Sequence, residues 1–401
     1  MPRTRSAGRK SEKVIYIALS LRKSMTYKVT PWEFSGEIDY GKIVKDFGLE
    51  VISDHLLKRM EKHVGELHPL LRRGVFFAHR DLNWILDEYE KGHHFFLYTG
   101  RGPSGQTHLG HLLPWIFTQW LQEKFNAELW FQMTDDEKYV FNDRLELDQT
   151  KKLAYENALD VIALGFDEKK TKIFLDTEYA KTLYPQALRV AKRLTFSTAK
   201  ATFGFSNESN VGEIFFTSVQ AVPAFLPSVL KGKNVPCLIP HAVDQDPHFR
   251  VARDILPKLG YYKPASIQCT MLPGLRGGKM STSEESSAIY TTDSPDVAKK
   301  KIMNAFTGGR DSIKEQREKG ANYSICPVYH YYRLLFMPND KELANLEHEC
   351  KSGSILCGEC KQKLAGRVSE FLVEHQKLVP REALPLRQRR DPAPEQPSPP
   401  Q

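Results

Sequence analysis

The sequence has no long apolar run. None of its hydrophobic stretches approaches the roughly 18 residues that a membrane-spanning helix requires, so we expect a soluble protein with no membrane partner. Cysteine is scarce as well, and the six cysteines in 401 residues are irregularly spaced, which argues against a disulfide framework and favours a reducing compartment. A content of 41% hydrophobic and 26% charged residues excludes a disordered or fibrous chain. The length allows about two or three domains.

Positive charge is concentrated near the ends of the chain. The formal net charge of +8 is enough to attract a polyanion such as nucleic acid, although basic tails alone would also account for it. Residues 1–24 are basic and contain one acid, Glu12. We interpret them as a tail, with an organelle-targeting segment or a poor signal peptide as alternatives. Residues 381–401 are rich in proline, and we expect them to be disordered.

From residue 93 the chain alternates short apolar runs with helical patterns. This alternation predicts an α/β fold built from parallel βαβ units, with helices on both faces of the sheet. Such sheets bind ligands at the carboxyl ends of their strands, where the strand order reverses, so the residues just after each run are candidates for a site. The runs span 93–100, 128–136, 171–176, 235–246 and 265–272, and helices are predicted at 110–125 and 147–164.

The remaining pattern predicts two flanking parts. Residues 25–92 form an N-terminal extension that we expect to pack on the α/β domain at 93–290, and they include an amphipathic helix from near Asp81 to Gly92. Beyond residue 290 the strand signals disappear, so residues 291–380 are predicted to form an α-helical domain.

A glycine-rich turn follows the first of the five strands. In the segment "LYTGRGPSGQTHLGH", three glycines allow the backbone to turn tightly and to approach a ligand, while Pro103 stiffens the turn. The glycines are Gly100, Gly102 and Gly105.

Two histidines stand at the start of the helix after this turn. The helix is predicted to begin near Gly110, with Pro114 in its first turn. Free N–H groups and the helix dipole favour a phosphate at such a place, and imidazoles add hydrogen bonds to it. His108 and His111 therefore indicate phosphate binding, with half of a metal site or simple helix caps as alternatives.

A lysine in a flexible loop supplies a second signal. Lys279 lies in "GLRGGKMSTSEESS", just after the last predicted strand. A mobile cation among glycines and hydroxyl groups suits the capture of an oxygen whose charge appears only as a bond breaks. An ordinary surface loop is the alternative. The two signals together are much more specific than either one.

Together, "HLGH" and "KMSTS" resemble the HIGH and KMSKS signatures of class I aminoacyl-tRNA synthetases. Longer motifs extend the resemblance specifically to the eukaryotic and archaeal tryptophanyl-tRNA synthetases, from about residue 30 to about residue 378. These motifs are "PWEFSGEIDYGKIVKDFG", "RRGVFFAHRDLN", "LYTGRGPSG", "FQMTDDEKY", "CLIPHAVDQDPHFR" and "FTGGRD".

The resemblance implies a fold and a reaction. It implies a Rossmann-like parallel-sheet catalytic domain with a C-terminal α-helical anticodon-binding domain. The implied reaction joins L-tryptophan to ATP as an adenylate and then transfers it to the 2′-hydroxyl of the terminal adenosine of tRNA(Trp). Mg²⁺ is expected with the triphosphate. A cytoplasmic homodimer is also implied, with an organelle as the alternative location.

The resemblance also implies which residues contact ATP. The catalytic residues would be His108, His111 and Lys279. The full set of ATP-binding residues would be Gly100, Gly102, Pro103, Ser104, His108, Gly110, His111, Lys279, Met280, Ser281 and Ser283.

By the same resemblance, five residues would bind tryptophan. Tyr98 and Gln132 would accept from or orient the single N–H of the indole, while Glu137, Gln220 and Gln245 would hold the α-amino group. Without the resemblance, a core aromatic and a polar sheet residue are the preferred interpretations of the first two. In a tyrosyl-tRNA synthetase, the nearest competitor, an aspartate would stand at the position of Gln132.

The motif "FTGGRD" has two interpretations. By the resemblance, its Arg310 and Asp311 would read the anticodon, whereas a glycine-bounded turn with an ion pair is the plain interpretation.

Two other functions for the whole chain fit the sequence less well. A small-molecule nucleotidylyltransferase would not explain this motif or the helical domain. A non-catalytic RNA-binding relative should have lost the histidines or the lysine.

Two features depart from the family pattern. His241 stands where a small residue is more usual, beside the expected active site, and is either a modifier of ATP binding or a histidine without a role. The segment "HECKSGSILCGEC" brings four candidate metal ligands together, but we predict no metal site, because zinc sites usually use two well-separated pairs. The four residues are His348, Cys350, Cys357 and Cys360.

Overall fold

The structure is a computed structural model that describes residues 28–29, 34–35, 39–278, 280 and 285–379. Most of its strands form one seven-stranded sheet with the order β3-β4-β9-β8-β5-β6-β7, and β1 and β2 form a separate antiparallel pair. The strands are β1 (Lys28–Val29), β2 (Phe34–Ser35), β3 (Glu50–Val51), β4 (Phe76–Arg80), β5 (Phe96–Arg101), β6 (Glu128–Met133), β7 (Thr171–Leu175), β8 (Cys237–Ala242) and β9 (Ala265–Cys269).

Helices cover both faces of this sheet and make up the C-terminal part of the described chain. They are α1 (Tyr40–Phe47), α2 (Asp54–Val64), α3 (Pro69–Arg72), α4 (Leu82–Glu90), α5 (Leu109–Phe125), α6 (Asp135–Val140), α7 (Leu147–Ala163), α8 (Ala180–Ala191), α9 (Phe196–Phe203), α10 (Val211–Val219), α11 (Leu226–Lys231), α12 (Asp246–Ile255), α13 (Pro295–Met303), α14 (Ile313–Lys319), α15 (Pro327–Tyr331), α16 (Asp340–Ser352) and α17 (Cys357–Leu378). A π-helical turn, Tyr332–Phe336, follows α15.

The five predicted strands are confirmed, and they are parallel to one another. From β5 the chain adds β6 and β7 on one side, then crosses back to place β8 on the other side of β5. The strand order therefore reverses between β5 and β8. A crevice opens there, at the carboxyl ends of the two strands.

Alternate side chains of the central strands enter two different cores. On β5, Leu97 packs into the core beneath α5, which also includes residues of the C-terminal helices. Its neighbours Phe96 and Tyr98 pack into the core beneath α8 to α12. This alternation follows from the period of two along a strand. Both faces of β5 are buried, which explains its continuous apolar run in the sequence.

Two corrections to the sequence-based expectations concern the edge of the sheet and helix α5. The sheet is not wholly parallel, because β3 and β4 from the N-terminal extension add to β9 in antiparallel fashion. Strand β4 was not predicted, because polar residues interrupt its apolar pattern. One of them, Arg80, pairs at 2.9 Å with fully buried Asp246. Pro114 lies at the sixth position of α5 rather than in its first turn, since the helix begins at Leu109.

Two further expectations concern membranes and domain boundaries. Within the described ranges, no helix is long and apolar enough to cross a membrane. The boundaries at residues 92 and 290 stay predictions, as do the tails at 1–24 and 381–401, which lie outside the described residues.

Candidate active site

The crevice at the end of β5 and β8 has a volume of about 560 Å³. It brings together most of the residues that the sequence assigns to the two substrates. Those that line it are Tyr98, Gly100, Gly102, Ser104, His108, Gly110, His111, Glu137, Gln220, Gln245 and Met280. Pro103 does not line the crevice, and Gln132 lies fully buried below it. Lys279, Ser281 and Ser283 lie outside the described residues.

The two histidines of "HLGH" stack on each other at the start of α5. Their ring centroids are 3.5 Å apart, with an interplanar angle of 18°. The backbone N–H of His108 donates to His111 Nδ1 at 3.1 Å. Because Nδ1 is an acceptor in this bond, the neutral His111 ring carries its proton on Nε2. The backbone thus sets which nitrogen of His111 is a donor.

The chain that follows the lysine loop is held against the "HLGH" segment. Leu109 N donates to the Ile289 carbonyl at 3.0 Å, and Thr291 N donates to the Thr107 carbonyl at 2.9 Å. Met280, within the "KMSTS" segment, lies beside Gly110, so that a Cβ at residue 110 would be 3.4 Å from its Sδ atom. Two regions that are about 170 positions apart in the sequence therefore meet at one edge of the crevice.

A chain of buried hydrogen bonds forms the floor of the crevice. The hydroxyl of Tyr98 donates to Gln132 Oε1 at 2.5 Å, and Gln220 Nε2 donates to that hydroxyl at 2.6 Å. On its other side, Gln132 Nε2 donates to both carboxyl oxygens of Asp176, at 2.9 and 2.8 Å. Asp176 therefore fixes the orientation of the Gln132 amide and turns its carbonyl oxygen toward Tyr98.

Asp176 also shares a hydrogen bond with a second acid, Asp136. Burial raises the pKa of Asp176 well above its ordinary value, and the nearby Asp136 raises it further. Burial also raises the pKa of Asp136, to about 7. Two adjacent buried carboxyl groups cannot both ionise readily, so the pair holds a proton near neutral pH. Asp176, when it carries this proton, still has a carbonyl oxygen that accepts from the Gln132 amide.

Glu137 lies on the crevice wall at the start of α6, where it is 7% exposed. Its carboxylate accepts from the Thr134 hydroxyl at 2.6 Å and pairs with Lys138 Nζ at 2.8 Å. A Cβ at Gly102 would lie 2.6 Å from Glu137 Oε2 and 2.3 Å from Lys138 Cε. A side chain at position 102 would have to displace the ends of the Glu137 and Lys138 side chains.

His241 lines the crevice, and both of its ring nitrogens have partners. Its Nδ1 donates to the Ala242 carbonyl at 2.8 Å, and its Nε2 lies 3.3 Å from the Gln268 amide nitrogen. Burial lowers the pKa of His241. The ring is therefore neutral near pH 7, with its proton on Nδ1.

Sequence reasoning missed several residues of the site. Asp176 directly follows β7, and residues at the carboxyl ends of the strands are candidates for the site. Its role becomes clear only from its tertiary contact with Gln132. Arg101 is the last residue of β5, lines the crevice and donates from Nε to Asn157 Oδ1 at 3.0 Å. Asp244 and His248 also line the crevice, and they flank Gln245 in the motif "AVDQDPH".

Arg310 and Asp311 are exposed and lie between α13 and α14, in the helical part of the chain. Arg310 Nε donates to the Gly320 carbonyl at 3.0 Å. In this described segment, no ion pair joins Arg310 to Asp311. The structure therefore does not support the interpretation of the motif as a turn closed by an ion pair between these two residues. Both side chains face solvent.

Comparisons with known proteins agree on one family. The profile of the family described as tRNA synthetases class I (W and Y) matches residues 90–373. A tryptophan–tRNA ligase from Pyrobaculum calidifontis is 50% identical over 351 residues, which cover 87% of this chain and 94% of that protein. One from Pyrococcus furiosus is 49% identical over 354 residues, which cover 87% and 90%.

Solved structures give the same result. A crystal structure of Plasmodium falciparum tryptophanyl-tRNA synthetase has a TM-score of 0.81 and 40% identity, and the match covers 85% of this chain and 94% of that chain. A tryptophanyl-tRNA synthetase from Encephalitozoon cuniculi, bound to tryptophan, has a TM-score of 0.79 and 37% identity, and the match covers 86% and 95%.

The acid pair predicts a pH-dependent stability. The folded chain holds a proton on this pair that the unfolded chain releases near pH 4, so stability falls as the pH rises from about 4 toward 7. Asp136→Asn removes one ionisation. We expect the variant to lose less thermal stability than the wild type between pH 5 and pH 7.5, as measured by the unfolding temperature. Asp143→Asn, at an exposed position, is the matched control. An equal loss in Asp136→Asn and the wild type would contradict the assignment.

Proposed function

The chain belongs to the class I tRNA synthetases, in the tryptophanyl branch of that family, and from this premise we propose how its crevice activates L-tryptophan with ATP for transfer to tRNA(Trp). The carboxylate of tryptophan attacks the α-phosphorus of ATP and pyrophosphate leaves. The 2′-hydroxyl of the terminal adenosine then attacks the carbonyl carbon and AMP leaves. The observation that supports the amino-acid assignment most strongly is the oriented Gln132 amide next to Tyr98.

The phosphates of ATP lie at the N-terminus of α5 in this proposal. The N-terminal N–H groups and the helix dipole attract the phosphate charge there. His111 donates to a phosphate oxygen from Nε2, because this nitrogen carries the proton in the neutral ring. His108 stacks on it and limits its rotation. Gly110, whose missing side chain leaves space beside Met280, admits the adenine.

The lysine loop completes the ATP site in the proposal. Lys279 binds the departing pyrophosphate, and Ser281 and Ser283 shape the loop, as the family resemblance implies. Support for this placement comes from Met280, next to Lys279 in the sequence, which lies beside Gly110, and from Ile289, after the loop, whose carbonyl accepts from Leu109 N. Mg²⁺ binds through the triphosphate oxygens in this proposal. The part of the chain that the structure describes contains no group of three or more acids, histidines or cysteines that could hold a metal ion.

The indole of tryptophan packs against Tyr98, in our proposal. The hydroxyl of Tyr98 donates its hydrogen to Gln132 Oε1, so the Tyr98 oxygen and the second lone pair of Gln132 Oε1 are both acceptors for an indole N–H. A site with acceptors placed for one donor rejects analogues that lack the donor, by about 10⁴ to 10⁵ in related cases. The Glu137 carboxylate, with the amide oxygens of Gln220 and Gln245, binds the ammonium group.

Arg310 and Asp311 contact the anticodon in the proposal, since exposed donors and acceptors on one loop can read the edges of unstacked bases. We also propose a homodimer. Exposed apolar side chains on consecutive helices support a protein interface. They are Tyr184 and Leu188 on α8, Phe196 on α9 and Val211 at the start of α10. The cytoplasm is the proposed location.

The reaction is tested by exchange of labelled pyrophosphate into ATP, with tryptophan and tyrosine compared under the same conditions. We expect exchange with tryptophan only, because the neutral Gln132 amide and the Tyr98 hydroxyl fit an indole N–H. Exchange with tyrosine would overturn the specificity. Absence of exchange with either amino acid would overturn the adenylation reaction.

The orientation of Gln132 is tested by two substitutions at Asp176. A neutral Asp176 and an asparagine both present one acceptor to Gln132 and one donor to Asp136, so Asp176→Asn should leave the KM for tryptophan within about threefold of the wild type. Asp176→Leu removes the acceptor and frees the amide to rotate. Its KM for tryptophan should rise by about 10- to 100-fold in the exchange assay, with the KM for ATP unchanged.

The pair of variants separates two explanations. An Asp176→Asn enzyme as impaired as Asp176→Leu would show that the charge at residue 176, and not the orientation of the amide, is required. A harmless Asp176→Leu would show that Gln132 needs no such partner.

A further inference from the structure

Arg101 ends strand β5 at the edge of the crevice, and its guanidinium group has bonding capacity that the protein does not use. The residue is half-buried and lines the crevice. Its Nε donates to Asn157 Oδ1 at 3.0 Å, but its buried Nη2 has no hydrogen-bond partner among the residues that the structure describes. Leaving a buried donor unsatisfied costs free energy, so such an atom is expected where a ligand completes its bonding.

Two acids lie near Arg101, but each of them is bonded to another side chain. Burial lowers the pKa of Arg101 to about 10, while Glu137 and Asp160 act in the opposite direction, so the guanidinium keeps its proton near pH 7. Within the described part of the chain, Glu137 pairs instead with Lys138 at 2.8 Å. Asp160 likewise bonds to His375 at 2.9 Å. The crevice therefore holds a cation that is able to bind an anionic ligand.

The alternation of side chains along β5 places Arg101 on the face of the sheet that α5 and α7 cover. Leu97 packs into the core on that face, and Arg101 leaves the strand on the same side because it has the same parity in the sequence. Its bond to Asn157, on α7, agrees with this placement. Tyr98 leaves the strand on the opposite face. Arg101 therefore lies on the side of His111 and α5, and not on the side of the proposed indole site.

Asn157 joins this guanidinium to the glycine-rich turn. The residue is buried, with 2% of its surface exposed. Its Oδ1 accepts from Arg101 Nε, and its Nδ2 donates to the Gly105 carbonyl at 3.0 Å. One side-chain amide thus connects the end of β5 to the turn that precedes α5. Because the N-terminus of α5 is the proposed position of the phosphates, Asn157 holds Arg101 beside that position.

We propose that Arg101 binds the β- and γ-phosphates of ATP and the pyrophosphate that leaves, and that Asn157 is its positioning residue. The inference rests on the proposed function and adds a second cation to Lys279. A guanidinium suits this role because its planar N–H groups form paired hydrogen bonds to phosphate oxygens. As the bond from the α-phosphorus to the bridging oxygen breaks, its electron pair stays on pyrophosphate. Arg101 stabilises that developing charge.

Substitution of Arg101 tests which anion it binds, because the tryptophan carboxylate is the other anion in the crevice. In Arg101→Gln, the KM values for ATP and for pyrophosphate in exchange should rise by about 10- to 100-fold. The KM for tryptophan and the inhibition by AMP, which lacks the β- and γ-phosphates, should stay within about threefold of the wild type. A raised KM for tryptophan, with unchanged binding of tryptophanamide, would assign Arg101 to the carboxylate and overturn the proposal.

Two further arginine variants are the controls. Arg101→Lys keeps the charge but loses the paired geometry, so its KM for ATP should lie between those of the wild type and Arg101→Gln. Arg367→Gln changes an arginine of α17 that donates to the Phe336 carbonyl at 2.8 Å, and it should leave the exchange kinetics unchanged. A normal KM for tryptophan in Arg101→Gln shows that this variant is folded. A wild-type KM for ATP in the same variant would overturn the role of the guanidinium.

A double-mutant cycle tests the role of Asn157. Asn157→Ala should raise the KM for ATP by about tenfold and leave the KM for tryptophan unchanged. Because Asn157 acts through Arg101, adding Asn157→Ala to Arg101→Gln should raise the KM for ATP by less than about threefold more. Two effects that multiply fully in the double variant would show that Asn157 acts independently and would overturn its positioning role.

Binding of pyrophosphate with Mg²⁺ separates this inference from the proposed function, because binding requires no chemistry. In calorimetry with the full chain, Arg101→Gln should bind pyrophosphate about 10- to 100-fold more weakly than the wild type does. Equal binding by the two proteins, or no binding by the wild type, would overturn the role of Arg101. A wild type that binds pyrophosphate through Arg101 but shows no exchange with tryptophan would count against the proposed function alone.

Discussion

The substrate site depends on one buried amide whose two ends are fixed. Gln132 has no exposed surface, and its nitrogen faces Asp176 while its oxygen faces Tyr98. A buried amide without partners would cost about 1–3 kcal/mol for each unsatisfied group, so this bonding leaves a single favourable orientation. That orientation places acceptors, and no competing donor, next to the crevice. The acid pair of Asp136 and Asp176 maintains it by keeping a proton.

Much of the catalytic fold could be predicted from the sequence, because both faces of the central strands are buried and produce short, continuous apolar runs. The strand β4 could not, since it contains two polar residues: His79, which is buried, and Arg80, which is half-buried and pairs with Asp246. The predicted position of Pro114 was wrong, because the proline is the sixth residue of a helix that begins at Leu109 and would still be the fifth if the helix began at Gly110. Start signals in a sequence locate a helix end only to within a residue or two.

Site residues could be predicted from the sequence where they lie within a recognised motif. They could not be predicted where only folding brings distant residues together. The motifs identified Tyr98, Gln132 and the two histidines, but Asp176 is 44 positions from Gln132 and belongs to no quoted motif. A small cavity between α15, α16 and α17 is similar. Three of the four cysteines that line it are close in sequence, whereas Cys326 joins them only through the packing of α15 against α17. The family resemblance supplied roles that spacing alone left open.

A crystal structure of the chain with bound tryptophan tests the central claim most directly. We predict that the indole nitrogen lies within about 3.2 Å of the Tyr98 oxygen or of Gln132 Oε1, with Gln132 Nε2 still bonded to Asp176. An indole nitrogen directed away from both oxygens, or a Gln132 amide turned to present its nitrogen to the ligand, would contradict the account.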